Sequence, residues 1–300
     1  PITITAATWA SSLVTLTLAS SIGFPNGTTI PIVVSGMTPT GYNGSFTATV
    51  ASSTSLTFSL STNPGTATAF GSLITGYTQA LMGADNTWWN QTPTVPYYVF
   101  EAGSVSTANA LVAVKNFIAA NPQTIYAWGF MPGVDAEPTL NSFLTSYNSL
   151  GSLIKFYLPC TSATYSSLLT TAREAMVFIQ SPDADPSTEI DYIPYMHFIA
   201  SFRASPTSKL PPAQYYYTSG TTAYTPLSPA MISALIGANT NFITTGAEGG
   251  ISNTMQVPGQ MLDGTPANVA YSIDWVQLQM NQAISNAVIN GSNSTINPLY

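Results

Sequence analysis

Charge is what this 300-residue chain has least of. It carries five Lys and Arg and twelve Asp and Glu, so ionisable side chains make up 6% of the sequence against roughly a quarter in ordinary soluble domains. Before Asp85 there is no Asp, Glu, Lys or Arg at all. The net charge of -7 and the scattering of the five basic residues, Lys115, Lys155, Arg173, Arg203 and Lys209, argue against a nucleic-acid partner, because phosphate binding needs a basic stripe. A single cysteine, Cys160, excludes an intrachain disulfide and is read as a small buried hydrophobe at a strand end. A single histidine, His197, leaves no His cluster for a metal, and it lies in an apolar run that suits a buried structural role better than a catalytic base. No apolar run approaches the roughly 18–20 residues that span a bilayer, so no membrane insertion is expected. No basic segment followed by an apolar stretch opens the chain, so no signal peptide is expected; Pro1 in place of an initiator Met suggests a processed chain or a fragment.

Three settings fit so few charges: an extracellular protein, a surface-exposed adhesin, or a subunit whose surface is covered by its neighbours. Interface cores are depleted in charge and obligate interfaces are the most apolar, which favours the third.

The predicted fold class is an all-β module followed by α/β. Residues 1–75 alternate apolar with Thr and Ser: Val14, Leu16 and Leu18; Phe46, Ala48 and Val50; Leu56, Phe58 and Leu60. This period of two predicts half-buried strands in a small β-sandwich or barrel, with turns at Asn43-Gly44 and Asn63-Pro64-Gly65. Residues 76–96 read as a connector punctuated by Gly76, Gly83, Pro93 and Pro96, with Trp88 and Trp89 docking it onto the larger domain. Residues 97–300 read as an α/β domain with a mostly parallel or mixed sheet, because strands alternate with helices. The predicted strands are Tyr97–Glu101, Thr124–Trp128, Leu153–Leu158 and Ala175–Gln180. The predicted helices carry Leu111, Val114, Phe117 and Ile118 after an Ser106 cap; Leu140, Phe143, Leu144 and Tyr147 after Pro138; and residues 162–173. Further on, residues 192–202 fit strand or helix, 204–228 an irregular segment, Pro229 to Gly237 a helix capped by Ser228, Phe242–Thr244 a strand and 246–264 a loop. A last helix over 272–289 is predicted to bury Ile273, Val276, Met280, Ala283 and Ala287.

Chemistry has few places to reside. There is no G-x-S-x-G, Walker A loop or G-x-G-x-x-G, and Ala247-Glu248-Gly249-Gly250 is too short to imply phosphate binding. Carboxylates remain. Asp135 and Glu137 follow the second predicted α/β strand, Asp183 and Asp185 the fourth, and Glu101 ends the first; in parallel α/β folds ligands bind beyond the carboxyl ends of strands. Two such acids suffice for glycoside hydrolysis, with Trp88, Trp89 and Trp128 as stacking platforms, and Asp183 with Asp185 offers oxygen ligands for Ca²⁺. The blander alternative is that acids cluster in solvated loops and that Glu137 favours a helix N-terminus. No catalytic, cofactor or metal residue is assigned.

Two stretches carry a resemblance. Gly41-Tyr42-Asn43-Gly44-Ser45-Phe46-Thr47, with Leu56-Thr57-Phe58 and Pro64-Gly65-Thr66-Ala67-Thr68, resembles an immunoglobulin-like β-module found in bacteriophage structural proteins. Trp88-Trp89-Asn90-Gln91 followed by Tyr97-Tyr98-Val99-Phe100-Glu101-Ala102-Gly103 resembles the opening of contractile tail sheath domains, a phenylalanine pair, a gap, V-x-E-x-G and a helix. Asn241-Phe242, Gly249-Gly250, Asp263-Gly264 and the helix around Asp274-Trp275 are similar in order to a sheath C-terminal domain. The resemblance implies a non-enzymatic virion subunit of a phage tail, without cofactor. Its expected partners are neighbouring copies in hexameric rings, a tail tube, and a baseplate or tail terminator, with the final helix toward the tube. It also implies terminal arms that add strands to neighbouring subunits. The alternatives kept open are a carboxylate-dependent glycoside hydrolase using Asp135 and Glu137, and an adhesin or decoration protein.

Overall fold

The computed structural model describes residues 1–24, 26–92, 95–103, 106–122, 124–148, 153–185, 188–202, 205, 207–208, 210–248 and 251–291. Pro93, Pro186, Arg203, Pro206, Lys209, Gly249 and Gly250 lie outside the described residues. Two compact units divide the chain: Pro1–Asn86 with Val99–Ala110 and Asp185–Thr188, and Thr87–Tyr98 with Leu111–Ala184 and Glu189–Tyr300.

The first unit is built on six strands, β1 (Ile2–Ala10), β2 (Leu13–Leu18), β3 (Thr29–Ser35), β4 (Gly44–Ser52), β5 (Ser55–Ser59) and β6 (Ser72–Thr75). They close into an antiparallel barrel in the order β1-β2-β5-β4-β3-β6. Of the two expected architectures the barrel is therefore the one formed, as one closed sheet instead of the two packed sheets of an immunoglobulin sandwich. The alternation does what its period dictates: Val14, Leu16, Leu18, Ala48, Val50, Leu56 and Phe58 are all buried inside, and Phe46 stacks on Phe58 at 4.2 Å between ring centroids. Closure abolishes free sheet edges, which an uncharged β surface needs in order to resist edge pairing. It also demands close backbone approach: a Cβ on Gly71 would lie 1.8 Å from the Ser35 carbonyl oxygen.

The barrel ends at Thr75, and the expected connector opens with a helix, α1 (Gly76–Trp89). Gly76 and Gly83 look like breakers, but Ala80, Gly83, Ala84, Thr87 and Trp88 are the buried positions of the helix and lie on one helical face at i, i+3, i+4 spacing.

In the second unit, α2 (Thr107–Ala120) buries Leu111, Val114 and Ile118, and the Ser106 hydroxyl accepts the Asn109 N–H at 3.3 Å. Three strands follow, β7 (Ala127–Gly129), β8 (Lys155–Cys160) and β9 (Ala175–Ile179), parallel and in the order β7-β8-β9. Every residue of β8 and β9 is buried, as expected for a parallel sheet covered on both faces. Phe156, Leu158 and Cys160 share a core with α2, with Leu140, Phe143 and Leu144 of α3 (Leu140–Thr145), and with Leu235 of α5 (Pro229–Gly237). On the opposite face Tyr157 stacks near Tyr192, beside the start of α4 (Ile193–Ser201), so residues 192–202 settle as helix. Ser228 caps α5 by accepting the Met231 N–H at 3.1 Å. Two antiparallel strands, β10 (Phe242–Glu248) and β11 (Ile251–Val257), precede the final helix, α6 (Ala267–Gly291). Among the described residues no helix is long and apolar enough to cross a membrane.

Four expectations are corrected. Tyr97–Glu101 is not a strand: it has no ladder partner, and Tyr98 is 88% exposed, so an apolar run alone did not make a sheet. Residues 162–173 form only a single 3-10 turn at Tyr165–Ser167. Thr and Ser side chains there bond locally, Thr164 Oγ1 with the Thr161 N–H at 3.0 Å and Ser167 Oγ with the Thr164 carbonyl at 2.7 Å, in competition with helix. The expected loop over 246–264 contains β11. The predicted buried face of the last helix is exposed, as taken up below.

Asn241 ties the strand ends together. It bridges Phe178 in parallel beside β9. Its side chain donates to the Val177 and Gln260 carbonyls at 2.9 and 2.8 Å and accepts the Gly259 and Gln260 N–H groups at 2.8 and 2.9 Å. Asn241→Ala leaves these buried groups unmatched at about 1–3 kcal/mol each. The expected loss is more than about 2 kcal/mol in urea unfolding; a loss under about 1 kcal/mol would contradict the assignment.

Candidate functional site

The carboxyl end of the parallel sheet is where a ligand site was expected, and each acid there is engaged. Asp135 is buried in a 3-10 turn after β7. Its Oδ2 accepts the Thr161 N–H at 3.2 Å and the Thr164 hydroxyl, so it caps the turn that follows β8. Glu137 caps the approach to α3, its Oε1 accepting the N–H and hydroxyl of Thr139 at 3.2 and 2.9 Å. Asp183 is exposed and accepts the Thr225 hydroxyl. Asp185 and Glu101 are assigned to the first unit, and Glu101 ends no strand. Of the expected rim of Asp135, Glu137, Asp183, Asp185 and Glu101, the member Glu101 is corrected, because no strand ends there. Among the described residues no group of three or more His, Cys, Asp or Glu gathers as metal ligands would.

The aromatic platform is also corrected. Trp128 is buried against Phe117. Trp88 is buried edge-on to His197 at 4.9 Å, its Nε1 donating to the Val95 carbonyl at 2.7 Å. Only Trp89 keeps an exposed face. His197 is buried in α4, consistent with a structural role.

The sequence alone gives Asp191 no role. It is fully buried beyond β9, accepting the Ser181 N–H at 2.9 Å while its own N–H donates to Gln180 Oε1 at 3.2 Å. Burial pushes its pKa well above the carboxylate range, opposed by the Ser181 bond and aided by Glu189. Burial, with the charges of Asp135 and Asp191, likewise raises the Cys160 thiol, which keeps it a thiol and a poor nucleophile.

The strongest electrostatic feature lies on the other face of the sheet and was not anticipated. Lys155 opens the buried strand β8 and shares a face with Tyr157. Its ammonium pairs with Glu174, the residue before β9, and with Asp274 of α6 at 2.6 Å. Arg173 Nε lies 3.1 Å from Glu174 Oε1, and the Tyr126 hydroxyl donates to Asp274 Oδ2 at 2.8 Å. Two cations and two carboxylates balance, as a buried cluster must. Burial raises the Glu174 pKa, countered by Lys155, and burial, then Asp274, raises the Tyr126 phenol. Beside the cluster is a cavity of about 10 Å³, room for about one water molecule. Tyr126, Tyr157, Tyr195 and Tyr271 line it. The sequence signal for the cluster was available: in so charge-poor a chain, Lys155 interrupts an apolar run and Arg173-Glu174 immediately precedes another.

The cluster ties β8, the lead into β9 and α6 to one another. It makes α6 an extension of the sheet, rooted through Ala267, Ala270 and Asp274, which are buried.

No protein-family model matches the chain, and no curated protein is detectably similar to it in sequence.

Two predictions follow from the buried charges. Lys155→Met leaves Asp274 without its cation and Glu174 with Arg173 alone, and is expected to cost about 3–5 kcal/mol in denaturant unfolding; adding Asp274→Asn should recover most of it, and a harmless single change would contradict the pairing. Asp191 has a folded pKa above its unfolded value, so its contribution to stability is present below the ordinary carboxylate pKa of about 4 and is lost as pH rises through the folded value. Unfolding midpoints measured from acid to neutral pH should therefore lose part of this fall in Asp191→Asn; an unchanged profile would rule the assignment out.

Proposed function

We propose that the chain is a structural, non-enzymatic subunit of a bacteriophage contractile tail sheath. Copies of it would assemble into stacked rings, hexameric by the resemblance, around a tail tube and between baseplate and tail terminator in the virion. The immunoglobulin-like label for the β-module and the sheath-like label for the α/β unit belong to this reading and rest on the motifs quoted above.

One observation supports it most: the exterior is nearly free of ionised groups while large apolar side chains stay exposed. The chain has only five basic and twelve acidic residues, and among the described residues Asp135, Lys155, Glu174, Glu189, Asp191 and Asp274 are buried. The barrel has none at all. Tyr98, Val99, Leu278, Met280, Ile284, Val288 and Ile289 are exposed. A free soluble surface is ordinarily dense in charge, whereas subunit interfaces are depleted in it. Function in this reading is mechanical: a metastable array repacks to a lower-energy one, each subunit moving largely as a rigid body. The glycosidase alternative gains nothing from Asp135, which is buried in a turn.

Negative-stain microscopy of the purified chain, alone and mixed with tail-tube protein, tests this. Rings or hollow tubes are expected. A monomer with no affinity for tail components, or one that coats capsids without polymerising, would overturn it.

A further inference from the structure

We infer that the side chains of Lys155 and Asp274 become joined by an amide bond, formed autocatalytically in the folded chain with Glu174 as the acid and base. The bond does not depend on the particle proposed above, and the ion pair of Lys155 with Asp274 is the state from which it closes.

Three reactive groups meet where bulk water does not reach. The side chains of Lys155, Glu174 and Asp274 are only 4%, 2% and 6% exposed. Lys155 Nζ lies 2.6 Å from Asp274 Oδ2. The carboxyl carbon is one bond further on, close to the about 3–3.5 Å of a near-attack geometry. Lys155 Nζ also contacts Glu174 Oε2. Groups held together in this way react at effective concentrations far above those of free groups. Lys155 is placed by the head of a fully buried strand, and Asp274 by the buried root of α6 beside Ala267 and Ala270.

The neighbours assign the roles. The Tyr126 hydroxyl donates to Asp274 Oδ2 at 2.8 Å, and a donor there stabilises the charge that builds on a carboxyl oxygen under attack. Asp274 is therefore the electrophile. Glu174 has Oε1 beside Arg173 Nε at 3.1 Å and Oε2 on the amine, which makes it the base. A lysine amine is a nucleophile only after losing a proton, and in a buried site that transfer removes two charges from apolar surroundings. Glu174 takes one ammonium proton, and Nζ attacks Asp274 Cγ. The N–C bond forms and one C–O bond breaks. Glu174 passes that proton, and then a second one from the nitrogen, to the departing oxygen. An ammonium and a carboxylate thus become an amide and one water, and Glu174 ends as it began.

The released water has a place to go. The cavity beside the cluster has room for about one water molecule. Tyr126 and Lys155 line it together with Tyr195, whose buried hydroxyl has no hydrogen-bond partner among the described residues. A hydroxyl in that state gains from a water beside it. Exclusion of bulk water and the removal of a buried charge pair both pull the reaction toward the amide.

Mass spectrometry of the full chain, intact and after denaturation and trypsin, tests this. The chain is expected to be lighter than its sequence by one water. Trypsin should leave Lys155 uncut, and the peptide that starts at Asn116 should be joined to the one that starts at Leu210 and contains Asp274. Asp274→Ala should abolish the bond, and Glu174→Gln should slow its formation at least about a hundredfold, with circular dichroism reporting whether each variant is folded. The unaltered chain decides the matter whatever the variants do: the full sequence mass with normal cleavage at Lys155 means an ion pair only and overturns the inference. A lost water that joins Lys155 to the peptide starting at Glu174, or that resides in a succinimide at Asp263-Gly264 while Lys155 is still cut, overturns it too. A bond that forms as fast in folded Glu174→Gln would overturn the role given to Glu174.

Discussion

The second unit is organised by one buried interaction: the Lys155 ammonium between Glu174 and Asp274. Buried charges persist only when paired and hydrogen-bonded, so the three elements that supply them are held in one relation. Lys155 fixes the start of β8, Glu174 the residue leading into β9, and Asp274 the second turn of α6. Tyr126, on the approach to β7, adds its hydroxyl to Asp274. All three parallel strands and the last helix are thus registered against each other at the amino end of the sheet. At the carboxyl end, where α/β enzymes usually place ligands, Asp135 accepts from Thr161 and Thr164 and Asp191 from Ser181.

This arrangement has a consequence for the surface. Asp274 must face Lys155, and with Ala267 and Ala270 it sets the rotation of the whole helix. The apolar stripe from Val269 to Ala287 then has to point elsewhere. In a chain with ordinary charge density such a stripe would be an isolated anomaly. Here it continues a pattern that begins with the uncharged barrel, whose Thr- and Ser-covered outer face is hydrated but not self-repelling. Few charges, a closed barrel and exposed apolar side chains on α6 are the features on which the proposed subunit role rests.

Much of the fold was legible in the sequence because period-two and period-3.6 patterns report burial directly. The barrel strands, α2, α3, the parallel β8 and β9, and the Ser228-Pro229 helix start all follow from it. The failures share a cause. Tyr97–Glu101 and the last helix were both assigned by apolar content, which says that a face seeks cover without saying whether the same chain supplies it. For α6 the apolar positions Ile273, Val276 and Met280 were found, but they are exposed, not buried. The true root, Ala267, Ala270 and Asp274, combines small residues with one charge and gives no hydrophobic signal. The helix α1 was hidden for the same reason, since four of its five buried positions, Ala80, Gly83, Ala84 and Thr87, are small residues with a weak hydrophobic signal. The candidate site was poorly legible: spacing located acids near strand ends, but only coordinates reveal that Asp135 and Asp191 are consumed by backbone N–H groups, and only they bring Lys155, Glu174 and Asp274 together across 119 residues of sequence.

Hydrogen exchange along α6, compared between the unaltered chain and Lys155→Met, tests most directly that the buried cluster roots the helix on the sheet. In the unaltered chain the amides near Asp274 should be protected and those from Gln279 to Val288 should exchange rapidly. In Lys155→Met the protection near Asp274 should fall. Uniform protection along α6 in the unaltered chain, or equal protection near Asp274 in the two chains, would contradict the account.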